Sequence, residues 1–456
     1  MTAAGAAAPT IAAFLGAVRQ VAAGESGMLA ESSIEPIRTL PRLVGLPVDW
    51  TEDESLLREV VVVKLNGGLG TSMGLERPRS LLPVKGSDTF LDFIARQIVY
   101  LRARTGRSGP SFYLLDSAAT QRDTLEYLQK YPELSHGEPL DFLQSMVPKI
   151  DPETLEPVSW PAQPELEWCP PGHGDLYPSL LGSGLLDRLL ARGIRFMFAS
   201  NADNLGATVD LTLLRYFAEQ GRSFLMEVAE RTAMDRKGGH LARYRDSGRF
   251  VLRESAQCPA EDEAAFQDIS RHRFFNTNSI WVRLDHLKRE LDSHGGALPL
   301  PLITNAKRVD PRRPESAPVL QLESAMGAAI QCFEQSSAIV VPRTRFTPVK
   351  TTSDLLVLRS DACRITDDQR LQLDERRNGQ PPRVDLEPEH YQLLSDFEEL
   401  FAEGPPSLIA CDSLRVSGRV RFAASVTCKG DVEFINTSSD AKTVASGIYE
   451  DVKVQL

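Results

Sequence analysis

Residues 58–84 read R-E-V-V-V-V-K-L-N-G-G-L-G-T-S-M-G-L-E-R-P-R-S-L-L-P-V. Residues 60–65 are a β-branched apolar run broken only by one lysine, the pattern of a strand buried on both faces of a parallel sheet. The run gives way at once to Asn66, Gly67, Gly68, Gly70 and Gly74. A glycine-rich turn leaving a buried strand lets backbone N–H groups approach a phosphate with no Cβ in the way. No glycine here is followed by Lys-Ser or Lys-Thr, which removes a Walker-type loop. Gly68, Gly70 and Gly74 give G-x-G-x-x-x-G, one residue longer than the dinucleotide fingerprint. Two readings remain: an anion loop with a cation behind it in Pro78-Arg79-Ser80, suited to a nucleoside triphosphate that releases pyrophosphate, or a plain strand-to-helix turn.

The chain has 456 residues, enough for one large α/β unit and a smaller one. Its 42% hydrophobic and 25% charged content is that of an ordinary globular protein. A net charge of -11 argues against general affinity for nucleic acid or an anionic membrane, so an anion site has to be a local concentration of cations and N–H groups. Six scattered cysteines with no C-x-x-C pair suggest neither a zinc site nor a disulfide framework. They fit a reducing cytoplasm. No basic residue precedes Arg19 and no apolar run approaches membrane-spanning length, so a cytoplasmic location is expected.

Residues 1–23 have the spacing of a short amphipathic helix, with Phe14, Val18 and Val21 on one side. After the glycine loop, 90–102 reads as a helix, 111–115 as a strand, 120–130 as a helix, 180–192 as a helix and 194–200 as a buried strand. This alternation predicts a doubly wound α/β sheet whose ligand lies beyond the carboxyl ends of its strands. Residues 224–228 read as a further strand, 236–245 as the start of a hairpin, 273–282 as a turn on residue type alone, and 319–330 as a strand entering a small-residue helix. From 367 to 382 the chain reads as a surface loop, from 387 to 403 as a helix, and Gly404-Pro-Pro406 breaks it. Beyond that, Leu408, Leu414, Val420, Val426 and Val432 recur every six residues, with Val416, Phe422, Cys428 and Phe434 as a second ladder. A six-residue period suits a small parallel β-helix; ordinary antiparallel strands are the alternative.

Four further stretches carry side chains with chemistry. Residues 169–177 read C-P-P-G-H-G-D-L-Y, where two prolines and two glycines fix the backbone around one projecting histidine. The strand ending at Ser200 delivers Asn201-Ala-Asp203-Asn204, which is also a sound helix N-cap. Residues 274–278 read F-F-N-T-N, and 341–352 read V-P-R-T-R-F-T-P-V-K-T-T, gathering Arg343, Arg345 and Lys350 within eight residues.

In this order the motifs resemble those of the eukaryotic-type UTP–glucose-1-phosphate uridylyltransferases (UDP-glucose pyrophosphorylases), from about residue 40 to 436. The resemblance implies a Rossmann-like, GT-A-like nucleotidyltransferase fold over 41–404, an N-terminal helical segment over 1–40, and a C-terminal β-helix over 405–456 that is a candidate contact for a homo-oligomer. It implies UTP and glucose 1-phosphate as substrates and Mg²⁺ as cofactor. On it, Leu65, Asn66, Gly67, Gly68 and Arg79 hold the triphosphate, Gln144 and Gly172 meet the uracil, and Asp203, with Asn204, lies at the metal and UTP. A side-chain amide carries the donor and the acceptor that an imide edge requires, which suits Gln144. One carboxylate with phosphate oxygens and water is ordinary for Mg²⁺, which suits Asp203. Gly67, Gly68, His173 and Asn278 are expected at the sugar phosphate, and Lys350, Arg79 and Asp203 form the catalytic set. The family usually has Lys where this chain has Arg79 and Asn where it has Ser279. Those departures leave two alternatives open, the same transfer onto another sugar 1-phosphate or a UTP-binding homologue without activity.

Overall fold

Val60–Asn66 forms the strand that the valine run demands, and its side chains alternate between two cores. Val60 and Val62 join Phe112, Leu114, Phe196 and Phe198 on one face of the sheet. Val61 and Val63 join Tyr113, Leu115, Met197 and Ala199 on the other. All four valines are at most 2% exposed, each burial worth about 1.5 kcal/mol or more. The computed structural model describes every residue except 48–53, 107–108, 136 and 233–234.

This strand sits inside a ten-stranded mixed sheet. Ser111–Asp116 pairs parallel on one side, followed by Asp141–Leu143. The chain then crosses over, and Phe196–Asn201 pairs parallel on the other side. Val60–Asn66 therefore borders a topological switch point, where a crevice opens beyond the carboxyl ends of the strands. The sheet continues with Phe274–Arg283, antiparallel to both Phe196–Asn201 and Phe224–Glu230.

Several elements differ from the sequence reading. Residues 180–192 are not one helix but the end of Leu176–Gly182 and the whole of Leu185–Ala191, because Gly184 turns left-handed (φ 70°) between them. The 387–403 helix is Pro388–Tyr391 and Leu394–Leu400, split beside Tyr391, whose buried hydroxyl is held by Val420. Residues 273–282 are no turn but most of a ten-residue strand, Phe274–Arg283, which absorbs its asparagines at a bulge. After Pro318–Glu323 the small-residue segment is a 3₁₀ helix, Met326–Gln331.

The C-terminal ladders form parallel coils. Arg383–Leu386, Ser407–Ser417, Val426–Ile435 and Gly447–Gln455 stack parallel, as do Val420–Phe422 and Lys442–Val444. All nine ladder residues named above are at most 2% exposed. Leu414 pairs with Val432 and Val416 with Phe434, so one coil spans three six-residue faces and the hexad is the length of a face. Antiparallel strands are excluded. This core runs into the one beneath the sheet through Tyr391, Phe397 and Phe401, whose ring stacks on Phe422 at 4.8 Å. At the other end of the chain, Ala8–Ala22 is helical as its spacing predicts, with Phe14 packed against Val147, Cys169, Leu302 and Leu322. Among the described residues no helix is long and apolar enough to cross a membrane.

Candidate active site

Where Val60–Asn66 ends, the glycine loop closes on itself, with the Arg79 N–H donating to the Gly68 carbonyl at 3.1 Å. A Cβ on Gly67 would stand 2.7 Å from Gln144 Oε1, so a side chain there would displace the Gln144 amide, while nothing lies within 4 Å of the equivalent point on Gly68. The Asn66 side chain turns inward, its Nδ2 donating to Asp116 Oδ1 (2.7 Å) and Thr124 Oγ1 (3.0 Å). Burial pushes Asp116 up to about 7, and its Oδ2 has no partner. Asn66 thus presents backbone, not side chain, to a ligand.

A cavity of about 340 Å³ opens over this loop, and Leu65, Asn66, Gly67, Gly68, Arg79, Gln144, Gly172, His173 and Asp203 all line it. Gln144 Nε2 donates to the Gly172 carbonyl at 3.0 Å, joining the two residues expected at the uracil. Gly172 is required there: its φ is +79°, and a Cβ would lie 2.5 Å from the Ser324 carbonyl oxygen.

His173 accepts a hydrogen bond from the Met326 N–H at Nδ1 (2.9 Å), and desolvation lowers its pKa to about 4. The neutral ring therefore carries its proton on Nε2, and it serves the cavity as an uncharged donor. On this account titration of His173 adds nothing to the pH profile between pH 8 and 5 and enters only as pH nears the folded value of about 4. His173→Gln, which keeps a neutral donor, should hold activity within about tenfold, while His173→Ala should lose about a hundredfold. An acid limb near pH 6.5 that disappears in the Gln variant would refute the neutral role.

Arg79 and Asp203 meet inside the cavity, Nη1 to Oδ2 at 2.9 Å. Asp203 Oδ1 and Arg79 Nε are buried with no partner. The Lys350 segment is fastened to the same loop: the Val349 N–H donates to the Asp203 carbonyl (3.3 Å), and Pro348 bridges Asn204. Asn204 is the clasp, its Nδ2 donating to the Arg345 carbonyl and its Oδ1 accepting from the N–H groups of Thr347 and Gly206. The side chain of Asn204, a residue expected at UTP, is buried and holds the two loops together.

The three cations of that segment part company. Arg345 is buried and pairs with Glu227 through Nε and Nη2, both at 2.7 Å. Arg343 turns to Asp235. Among the described residues Lys350 alone of the three makes no side-chain hydrogen bond or ion pair, and its field reaches Glu254. Behind the loop, Lys64 Nζ donates to Ser200 Oγ (2.8 Å) and the Ala207 carbonyl (2.6 Å), and burial lowers its pKa to about 7.

Asn278 stands at the bulge in Phe274–Arg283 with φ +54°, a left-handed conformation that Asn tolerates. Asn276 Nδ2 donates to Asn278 Oδ1 at 2.9 Å, and Asn276 also hydrogen-bonds Glu254. Lys350, Glu254, Asn276 and Asn278 are thus linked to one another, and none of them is among the residues that line the cavity. Burial raises Glu254, which packs so closely on Gly239 that a Cβ there would lie 2.3 Å from Oε2. Sequence reasoning missed Glu254; the only trace was a glycine pair, Gly238-Gly239, facing a strand end. Ser279, expected beside the sugar, is fully buried with its hydroxyl unpartnered.

Comparison with known proteins gives a consistent result. Residues 13–429 match the family described as UTP–glucose-1-phosphate uridylyltransferase. The chain is 40% identical over 426 residues to the UTP–glucose-1-phosphate uridylyltransferase of Solanum tuberosum, covering 92% of this chain and 87% of that one. It superposes on a mutant UDP-glucose pyrophosphorylase from Leishmania major in complex with UDP-glucose with a TM-score of 0.93, 45% identity, and coverage of 100% and 98%. A Trypanosoma brucei UDP-glucose phosphorylase gives 0.90, 49% identity and the same coverage.

Proposed function

The chain belongs to the UTP–glucose-1-phosphate uridylyltransferase family, and on that footing we propose that it converts UTP and glucose 1-phosphate to UDP-glucose and pyrophosphate. A phosphate oxygen of glucose 1-phosphate attacks the α-phosphorus of UTP in line. A new O–P bond forms, the bond from the α-phosphorus to the bridging oxygen breaks, and pyrophosphate leaves with the electron pair. The attacking oxygen is already anionic, so no general base is required, and the barrier is the repulsion between two polyanions.

The observation that carries this reading is the convergence of the anion loop, the Gln144–Gly172 pair, the Arg79–Asp203 pair and the Lys350 segment at one crevice. In it, the N–H groups of Leu65 to Gly68 and the Arg79 guanidinium hold the triphosphate, and Gln144 and Gly172 hold the uracil. His173 donates from Nε2 to the sugar phosphate, and Asn278 with Glu254 meets the sugar hydroxyls. Lys350, uncommitted and exposed, supplies charge to the phosphate oxygens as they pass through transfer. The donor set fits Mg²⁺: Asp203 offers a buried, unpartnered oxygen, and among the described residues no cluster of three or more His, Cys, Asp or Glu competes for it. When bound, the ion neutralises triphosphate charge.

The test is pyrophosphate release from UTP and Mg²⁺ with glucose 1-phosphate, galactose 1-phosphate and N-acetylglucosamine 1-phosphate, with product identification. Glucose 1-phosphate should give the highest kcat/KM. A different preferred sugar would overturn the substrate, and UTP binding without release would overturn the activity.

A further inference from the structure

The helix Ala8–Ala22 is more than 120 residues in sequence from Gln144 and Gly172, yet it touches the back of both uracil-facing segments. Thr10, only 1% exposed, shares a hydrogen bond with Ser145 (Oγ1 to Oγ, 2.8 Å). Ser145 is the residue after Gln144, and its own N–H donates to Asp175 Oδ2 at 2.6 Å. Ser179 Oγ donates to the same Asp175 oxygen at 2.6 Å and lies 3.2 Å from Ser145 Oγ. Asp175 in turn belongs to the turn that carries Gly172 and His173. One polar chain thus runs from the helix through Ser145 and Asp175 to the two residues that face the nucleobase.

The apolar contacts repeat the pattern. Phe14 packs on Val147 and Cys169, three residues beyond Gln144 and three before Gly172 respectively. The helix N-terminus is seated directly on Leu176–Gly182, where a Cβ on Gly182 would stand 2.7 Å from Ala7 Cβ. A cavity of about 520 Å³ lies between the helix, the 171–178 turn and residues 297–302, and Thr10 and Phe14 line it too. The contacts that tie it to the uracil-facing segments are those of Thr10 and Phe14.

Resting on the assignment of Gln144 and Gly172 to the uracil, we propose that the N-terminal helix is a strut for base recognition and that Thr10 is a positioning residue acting through Ser145 on Gln144. The Gln144 backbone is already tied on its other side, its N–H donating to the Asp116 carbonyl at 2.7 Å. Thr10 removes the remaining freedom at the Ser145 end. Without it, Ser145 keeps Asp175 and Ser179 and Gln144 Nε2 keeps the Gly172 carbonyl, so the fold stands while the segment that aims the amide is held less tightly.

Thr10→Val, Thr10→Ser and Gln144→Ala are compared with the parent chain for UTP against CTP, with thermal unfolding alongside. Losing one buried hydrogen bond should raise KM for UTP in Thr10→Val by roughly fivefold, with a similar fall in preference over CTP. kcat and KM for glucose 1-phosphate should stay within about twofold, and Thr10→Ser should restore the parent values, because its hydroxyl can remake the one bond removed. Parent-like KM for UTP and base preference in Thr10→Val would overturn the strut, as would an equal loss in every parameter, the mark of general damage. Gln144→Ala separates the two failures. If it loses base preference and Thr10→Val does not, the strut alone falls; if it keeps that preference, the base assignment falls and the strut with it.

Discussion

Replacing Lys350 with alanine lowers kcat by about a thousandfold and leaves thermal unfolding unchanged. Both halves follow from where the residue sits. Its side chain is exposed and holds no described neighbour in place, so truncation opens no cavity, although it removes the cation whose field favours the Glu254 carboxylate. Its backbone is another matter: the Val349 N–H is bonded to the Asp203 carbonyl and the Lys350 N–H to Asp354 Oδ2, so the variant keeps the segment in position and loses only the ammonium. Arg343 and Arg345 cannot substitute, one facing Asp235 and the other buried on Glu227. Lys350→Arg restores the charge with a bulkier, planar head and should recover part of the rate. Single-turnover measurement at saturating UTP isolates the chemical step, and near-parental turnover in the alanine variant would reject the role.

The same segment marks how far the sequence could be read. The valine run was legible because a strand buried on both faces has no polar side to hide, and the hexads were legible because each face of the coil repeats one apolar pair. The cation cluster was not. Arg345 is removed from the site by Glu227, 118 residues upstream, and a pairing of that span leaves no mark in local spacing. Asn204 and Asn66 show the same limit: spacing places both in loops at the cavity, but only the fold shows that both side-chain amides satisfy buried backbone and side-chain groups that fasten those loops. Phe274–Arg283 was hidden by its asparagines, which argue for a turn until a bulge accommodates Asn278 inside a strand. Glu254 was invisible because its place depends on a hairpin bringing it to Asn276. What spacing conveys is which loops converge; which side chains remain free once they have converged is a tertiary property.

Asp203→Asn weakens divalent-ion binding by about a hundredfold and lowers kcat/KM accordingly. The substitution keeps the size of the side chain and an oxygen for Arg79 Nη1, so the pair across the cavity persists in geometry, while the charge that attracts a cation is gone. Manganese titration in the presence of UTP, read by its paramagnetic signal, gives the affinity independently of turnover. Arg79 makes the argument two-sided. In the structure its guanidinium stands against Asp203 Oδ2, so on the proposed assignment an ion at Asp203 would share that carboxylate with Arg79 until nucleotide phosphate engaged the guanidinium. Arg79→Met should therefore tighten manganese binding in the absence of nucleotide and loosen UTP binding in its presence, opposite signs from one deletion. Asp203→Asn lacks that asymmetry and should weaken the ion in both conditions. If Asp203→Asn titrates like the parent chain, the ion is held elsewhere and the pairing with Arg79 is structural only; if Arg79→Met weakens manganese binding without nucleotide, the two are partners rather than competitors.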